Sequence, residues 1–475
     1  MKDISLKKAS FINAIAKYAV IIMNIFFTAI LARILTPEDY GIIAIVTIFT
    51  TLFARFCDMG FGSAIIQYRD LDKEAINQIF TFTAIIAVIV GILFAFLGIP
   101  VAAFYNQPIY TKICAILSVS VFFNCLNMVP NAVLLRDKEF FKVAVRTIVV
   151  NVVGYAVAIC CAVWGGKYYA LVWQSVIAAV LDFLWNNYTA KLQIKLKMSL
   201  KPVKRVFNYS FFQFIFGWVN YVESNLDNIL IGGIMGSTAL AYYDKAYKLI
   251  CYPMNNIAGV VTPVLHPILK DYQEDKETLF QKYVEVQRIL SCIAIAIVPI
   301  FFIAGPEIIT IIYGNQWKVS ILPFVILSIA IYPKIMMATT GAIYCSAGST
   351  KMLFVAGTLN AIVTGGAIIA GILGKSVITV AVSVAIANWS NMLVTFFILI
   401  HKVLEQNVFL YYKKTITDIL VMIMECIVMS VLFKYFQIEN MLVSFFIKCL
   451  VSFFIYALYL LISRKYKIII KLLKR

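Results

Sequence analysis

Residues 9–32 read ASFINAIAKYAVIIMNIFFTAILA, an apolar run of about 24 residues preceded by Lys2, Lys7 and Lys8. A helix needs roughly 20 mainly apolar residues to cross the hydrocarbon core of a bilayer. The run is too long for the h-region of a signal peptide, and no convincing small-residue cleavage site accompanies it. It reads as an uncleaved first span. Thirteen further runs begin near residues 41, 76, 110, 143, 168, 206, 245, 284, 320, 352, 376, 415 and 441. Of the 475 residues 62% are hydrophobic and 13% charged, whereas a soluble domain carries about 25% charged residues. With a mean hydropathy of +0.91 and no long polar segment, the chain is expected to be an all-α polytopic membrane protein of about 14 transmembrane helices.

Lys and Arg concentrate on the cytoplasmic side of such proteins. With the N-terminus placed there, 29 of the 41 Lys and Arg fall on cytoplasmic segments, eight on opposite loops and four inside spans. Both termini are then cytoplasmic. Basic loops facing anionic headgroups explain the net charge of +18 without nucleic acid. The ten Cys lie in or beside spans with no CxxC and no Cys/His cluster, so they count as small apolar side chains. Neither a metal nor a cofactor is expected.

The basic stretch 190–205, AKLQIKLKMSLKPVKR, divides the chain. The expected layout is an N-lobe at 1–189 with spans one to six and a basic cytoplasmic linker at 190–205. A C-lobe at 206–402 holds spans seven to twelve, and 403–475 holds two last spans and a basic tail. An even number of spans per half gives parallel repeats. ILARILTPEDYG (30–41) and ILIGGIMGSTALAYYDKAY (229–247) echo one another in support of this. Each is an apolar helix end, a short turn and an aromatic that opens the next span.

A charge at the bilayer centre costs about 2.5–3.5 kcal/mol on insertion scales, so it usually faces an interior or a hydrated cavity. Arg55 and Asp58 share a helix face, and Thr47 and Thr51 extend the stripe. Two readings stand: a neutralising pair that lets the helix insert, or a charge lining a substrate path. In the first span Asn13, Lys17, Asn24 and Thr28 fall on one face. Lys17 sits roughly 12 Å along the helix, where it either snorkels to the headgroups or meets a water-filled cavity. The continuous polar stripe favours the cavity. Ser120, Asn124, Asn127 and Asn131 repeat the theme in the fourth span, and the seventh carries Glu223 and Asp227 one turn apart, candidates for ion coupling. Lys334, before a tenth span read as broken by Gly341, is placed on the same cavity, and Glu425 and Lys448 are read as a structural pair. Asp182 and His266 receive no role. With two His and no P-loop, a catalytic triad and ATP hydrolysis are both disfavoured, and the chain reads as a non-enzyme.

ILARILTPEDYGIIAI (30–45) running into FARFCDMGFGSAIIQ (53–67) resembles the polysaccharide (Wzx-type) flippases of the multidrug/oligosaccharidyl-lipid/polysaccharide superfamily. PNAVLLRDKEFFKVA (130–144), DNILIGGIMGSTALAYYDKAYKL (227–249) and VVTPVLHPIL (260–269) add to the resemblance. The resemblance implies a MATE-like bundle of two six-helix lobes plus two C-terminal helices, with a central cavity open alternately to either side. It implies transport of an undecaprenyl-diphosphate-linked oligosaccharide from the cytoplasmic to the outer leaflet of a bacterial cytoplasmic membrane. Its partners would be this lipid-linked oligosaccharide, membrane lipids, and a polysaccharide polymerase with its export machinery. In related lipid flippases basic residues of the first two spans hold the diphosphate, and Lys17 and Arg55 match in helix and character. The cavity set is then Lys17, Arg55, Asp58, Asn13, Asn24, Asn124, Asn127 and Lys334. Buried Arg and Lys neutralise a diphosphate with charge-assisted hydrogen bonds, Arg in bidentate fashion. A lipid II flippase and a multidrug/cation antiporter of the same fold remain alternatives; Glu223 and Asp227 keep the antiporter open.

Overall fold

The computed structural model describes residues 6–58, 61–68, 70–195, 202–203, 221, 225–436 and 438–466. Every regular element among them is a helix. Chain contacts divide the protein into two compact units, Met1–Ala241 and Tyr242–Arg475. The first contains α1 (Leu6–Ile34), α2 (Pro37–Asp58), α3 (Phe61–Gln67), α4 (Lys73–Phe104), α5 (Ile109–Arg136), α6 (Phe140–Val163), α7 (Tyr169–Ala190) and a helical stretch, α8, at 225–235. Helix α9 (Ser237–Lys270) crosses the division. The second unit continues with α10 (Lys276–Ile303), α11 (Gly305–Tyr313), a short 3-10 turn, α12 (Ile321–Ser328), α13 (Ile331–Met337) and α14 (Thr340–Ser346). It closes with α15 (Thr350–Leu373), α16 (Val377–Phe397), α17 (Val408–Tyr435) and α18 (Met441–Ile462). Among the described residues ten helices are long and apolar enough to cross a membrane, or eleven if the bent pair Asn315–Ser328 and Ile331–Ser346 forms one span. The chain is a multi-span membrane protein. Most of the seventh expected span, 206–220, lies outside the described residues.

Helix starts follow local chemistry. At TPED, Thr36 caps α2: the Asp39 carboxylate accepts from the Thr36 N–H (3.0 Å) and hydroxyl (2.8 Å), and the Thr36 hydroxyl accepts from the Asp39 N–H (3.2 Å). This is a capping box with Pro37 at the first helical position, where its missing N–H costs nothing. The second Asp39 oxygen accepts from the Tyr168 N–H at 3.1 Å, so one side chain also ties α2 to the turn between α6 and α7. Asp72, Asp275, Asn407 and Asn440 cap α4, α10, α17 and α18 in the same manner.

In the first unit α5 packs against α4, α7, α2 and α3, while α1 lies on α6. One apolar core joins Phe61, Ile65, Phe80, Cys125 and Val129 with Leu192 and Val203. The chain after α7 is bound to α4 through Gln193 N–H to Asn77 (3.1 Å) and Lys195 N–H to Thr81 (2.9 Å). Of the basic stretch 190–205, residues 196–201 and 204–205 lie outside the described residues.

Two sequence expectations need correction. The tenth span breaks at Ile329–Ala330, with a 49° bend, and again at Ala338–Thr339; Gly341 sits inside α14. The carbonyls released there are taken up by side chains: Ile329 accepts from the Trp389 indole (3.2 Å) and Met336 from the Gln287 amide (3.1 Å). Irregular backbone at membrane depth survives only with such protein partners. Second, Lys448 does not pair with Glu425. Its ammonium bonds Glu307 at the start of α11 (2.5 Å) and the Ile303 carbonyl (3.2 Å), and Ser444, one turn away, also donates to Glu307 (2.7 Å). Glu425 takes the Ser452 hydroxyl instead (2.7 Å). The face of α18 carrying Lys448 points to α11, which decides the partner.

Candidate functional site

The second and seventh spans meet inside the first unit. The Tyr221 hydroxyl donates to the Ile48 carbonyl of α2 at 2.7 Å and lies beside Thr51, within electrostatic range of Arg55. Further along, a Cβ on Gly232 would come 3.2 Å from Ile45, and one on Gly41 would come 2.0 Å from the Ser237 carbonyl oxygen. Residue 221 thus opposes 48–51, 232 opposes 45, and 237 opposes 41. Residues 225–237 run antiparallel to α2, and the two echoing turns meet backbone against backbone at Gly41 and Ser237. Gly236, at φ +89°, makes the turn that brings Ser237 there.

This geometry leaves a polar corner of Thr51, Arg55 and Tyr221. Arg55 is exposed, and among the described residues no carboxylate pairs with it. Asp58 belongs to α2, and Asn13 and Lys17 to α1, but their side chains lie outside the described residues, as does Glu223 altogether. Asp227 is buried at 5% exposure and accepts from the Asn228 N–H (2.8 Å); Asn225 donates to the Tyr221 carbonyl (2.9 Å).

The other predicted residues of this unit are placed mainly by contacts within it. Asn24 accepts from the Tyr155 hydroxyl of α6 (3.2 Å), next to a Phe27–Tyr155 stack. Asn127 accepts from Asn186 of α7 (2.7 Å), and Asn131 from Arg146 of α6 (3.0 Å). Ser120 donates to the Ser175 carbonyl (3.1 Å), and Asn124 is exposed, its amide on Ser120 (3.3 Å). The α5 stripe therefore ties α5 to α6 and α7 as well as offering Asn124 outward. Sequence reasoning missed the centre of this network: Arg146, 8% exposed, pairs with Asp182 at 3.0 Å. The available signal was Asp182 itself, an acid within a span that requires a cation.

In the second unit Lys334, on the short α13 between the two breaks, donates to the Tyr247 hydroxyl (2.9 Å) and lies 4.8 Å from that ring centre. Tyr247 in turn stacks on Tyr243. Lys245 lies over the Tyr313 and Trp317 rings, contacts that hold a cation among aromatic faces. Helices α15 and α16 share two amide–hydroxyl pairs, Asn360–Thr395 (2.9 Å) and Asn391–Thr364 (2.8 Å).

Residues 30–322 match the family described as "Polysaccharide biosynthesis protein". The teichuronic acid biosynthesis protein TuaB of Bacillus subtilis is 22% identical over 78% of this chain and 77% of its own length. The succinoglycan biosynthesis transport protein ExoT of Rhizobium meliloti is 22% identical over 76% and 73%. Among solved structures, the lipid II flippase MurJ in an inward closed conformation superposes with a TM-score of 0.73 at 17% identity, over 96% of this chain and 99% of MurJ. At that identity the likeness is one of fold.

Proposed function

The chain belongs to the polysaccharide biosynthesis protein family, and from that premise we propose that it is a flippase for a lipid-linked oligosaccharide destined for a surface polysaccharide. The cargo is an undecaprenyl-diphosphate-linked repeat unit, moved from the cytoplasmic to the outer leaflet of a bacterial cytoplasmic membrane by alternating access, with both termini in the cytoplasm. The observation that carries this reading is Arg55, exposed on α2, whose charge acts on the Tyr221 hydroxyl that sits against Thr51 of the same helix. An anionic diphosphate crossing about 30 Å of hydrocarbon needs a cation with several donors, and Arg supplies a planar fork. Lys17 shares the diphosphate, Asp58 holds Arg55 when no cargo is bound, and Asn13, Asn24, Asn124, Asn127 and Lys334 serve the sugar. Glu223 and Asp227 couple transport to an ion.

The test is export of surface polysaccharide in a flippase-null host, normalised to protein in the membrane. Hydrogen bonds to charged groups contribute about 1.5–3 kcal/mol, so Arg55→Gln should lower export roughly 10- to 150-fold. The double variant Arg55→Gln, Asp58→Asn should insert normally and still fail, while Arg55→Lys keeps partial activity. Full export by the neutral double variant refutes the diphosphate role. Rescue of cells depleted of their lipid II flippase, without rescue of polysaccharide export, would assign the cargo to lipid II.

A further inference from the structure

A groove of about 1000 Å³ runs between α6 and α7 on the first unit, and none of its lining residues belongs to α2. Its walls are apolar: Phe141 and Val149 from α6, Trp185 from α7, with Tyr188 at the same end as Phe141. Tyr188 is 84% and Phe141 61% exposed. From Phe141 to Val153 the α6 wall is about 18 Å long at 1.5 Å per residue, close to the reach of one acyl chain. Both helices are long and apolar enough to cross a membrane, so lipid chains are the medium on this face.

One end of the groove differs from the rest. Lys142 lines it and Lys138 and Lys191 stand exposed at the adjoining helix ends, against the carboxylates Asp137 and Glu139. Lys142 bonds Glu139 at 2.9 Å, with half of its side chain exposed; an exposed pair of that kind is readily exchanged for another anion. Tyr188 and Trp185 at this end suit the headgroup level, where amphipathic rings collect.

We infer that this groove binds an anionic glycerophospholipid, for which phosphatidylglycerol is the probe. One acyl chain lies along Val149 and Phe141, and the phosphate meets Lys142. The site is separate from the Arg55 corner and does not depend on the identity of the cargo.

Native mass spectrometry of the full chain in detergent, titrated with dioleoyl phosphatidylglycerol or dioleoyl phosphatidylcholine, tests it. Wild type should retain phosphatidylglycerol preferentially. Lys142→Gln should weaken retention about fivefold, the worth of one Lys near an anionic lipid. Val149→Trp, which fills an outward-facing groove, should abolish it while the melting temperature in lipid-free detergent stays that of wild type. Equal retention of the two lipids, unchanged retention in Val149→Trp, a preference for undecaprenyl phosphate, or a second protein copy occluding the groove would each overturn the assignment. Because the readout is lipid binding, it stands or falls separately from polysaccharide export.

Discussion

Replacing Gly41 by Ala sets two effects against each other. Within α2, Ala is favoured over Gly by about 1 kcal/mol of helix propensity. The added Cβ would stand 2.0 Å from the Ser237 carbonyl oxygen and 2.4 Å from its carbon, more than 1 Å inside ordinary contact. Both partners are backbone, so no rotamer change relieves the overlap. Helix α2 has little room to retreat, held by Asp39 on the Tyr168 N–H at one end and by Tyr221 on the Ile48 carbonyl further along. Overpacking costs about 1–3 kcal/mol, and a clash between two backbones belongs at the upper end. The net expectation is a loss of about 2 kcal/mol, roughly a thirtyfold fall in the folded-to-unfolded ratio. Gly366→Ala in α15 is the control, since nothing lies within 4 Å of its added Cβ; it should be neutral or stabilising. The assay is thermal unfolding of the purified proteins in one detergent. A Gly41→Ala variant as stable as Gly366→Ala would refute the close approach of the two echoing turns.

Single-Cys labels at Asn106, Gly166 and Asn315 should react from outside intact cells, and labels at Asp72 and Lys276 only after permeabilisation; outside labelling at Lys276 would invert the topology. Glu307→Gln should destabilise the protein by about 3–5 kcal/mol, because it strands the Lys448 ammonium in a buried site. Glu307→Gln, Lys448→Met together should return most of that, as read by unfolding in detergent; equal damage in single and double variants would remove the pair from the account.

The membrane-spanning helices were legible because an apolar run longer than a bilayer is a local signal, and caps such as Thr36–Asp39 and Asp72 lie within three residues of what they cap. Partners across helices were not. Lys448 and Glu425 looked complementary by depth, yet which face of α18 meets which neighbour depends on the rotation of packed helices, and Glu307 takes the ammonium. Arg146 stands early in α6, where a charge reads as a cation at the headgroup level, although the fold buries it against Asp182. The break before α13 was obscured because residues 321–333 are apolar apart from Ser328; the sites of rupture are marked by Trp389 and Gln287, far away in sequence. For the candidate site, the α2 stripe of Thr47, Thr51 and Arg55 was visible from spacing, whereas Tyr221 enters it only through the antiparallel pairing with α2.

The two breaks around α13 also impose an order on biosynthesis. Gln287, which takes up the Met336 carbonyl, is already in the membrane when the second break emerges. Trp389, the partner of the Ile329 carbonyl, is made 60 residues later. At a synthesis rate of about 5–20 residues/s, that carbonyl waits roughly 3–12 s for its donor. Helices α12, α13 and α14, each of seven or eight residues, are too short to cross a bilayer alone. This stretch therefore leaves the ribosome as an unfinished span, held at the insertion machinery or at the water interface until α16 arrives to complete it.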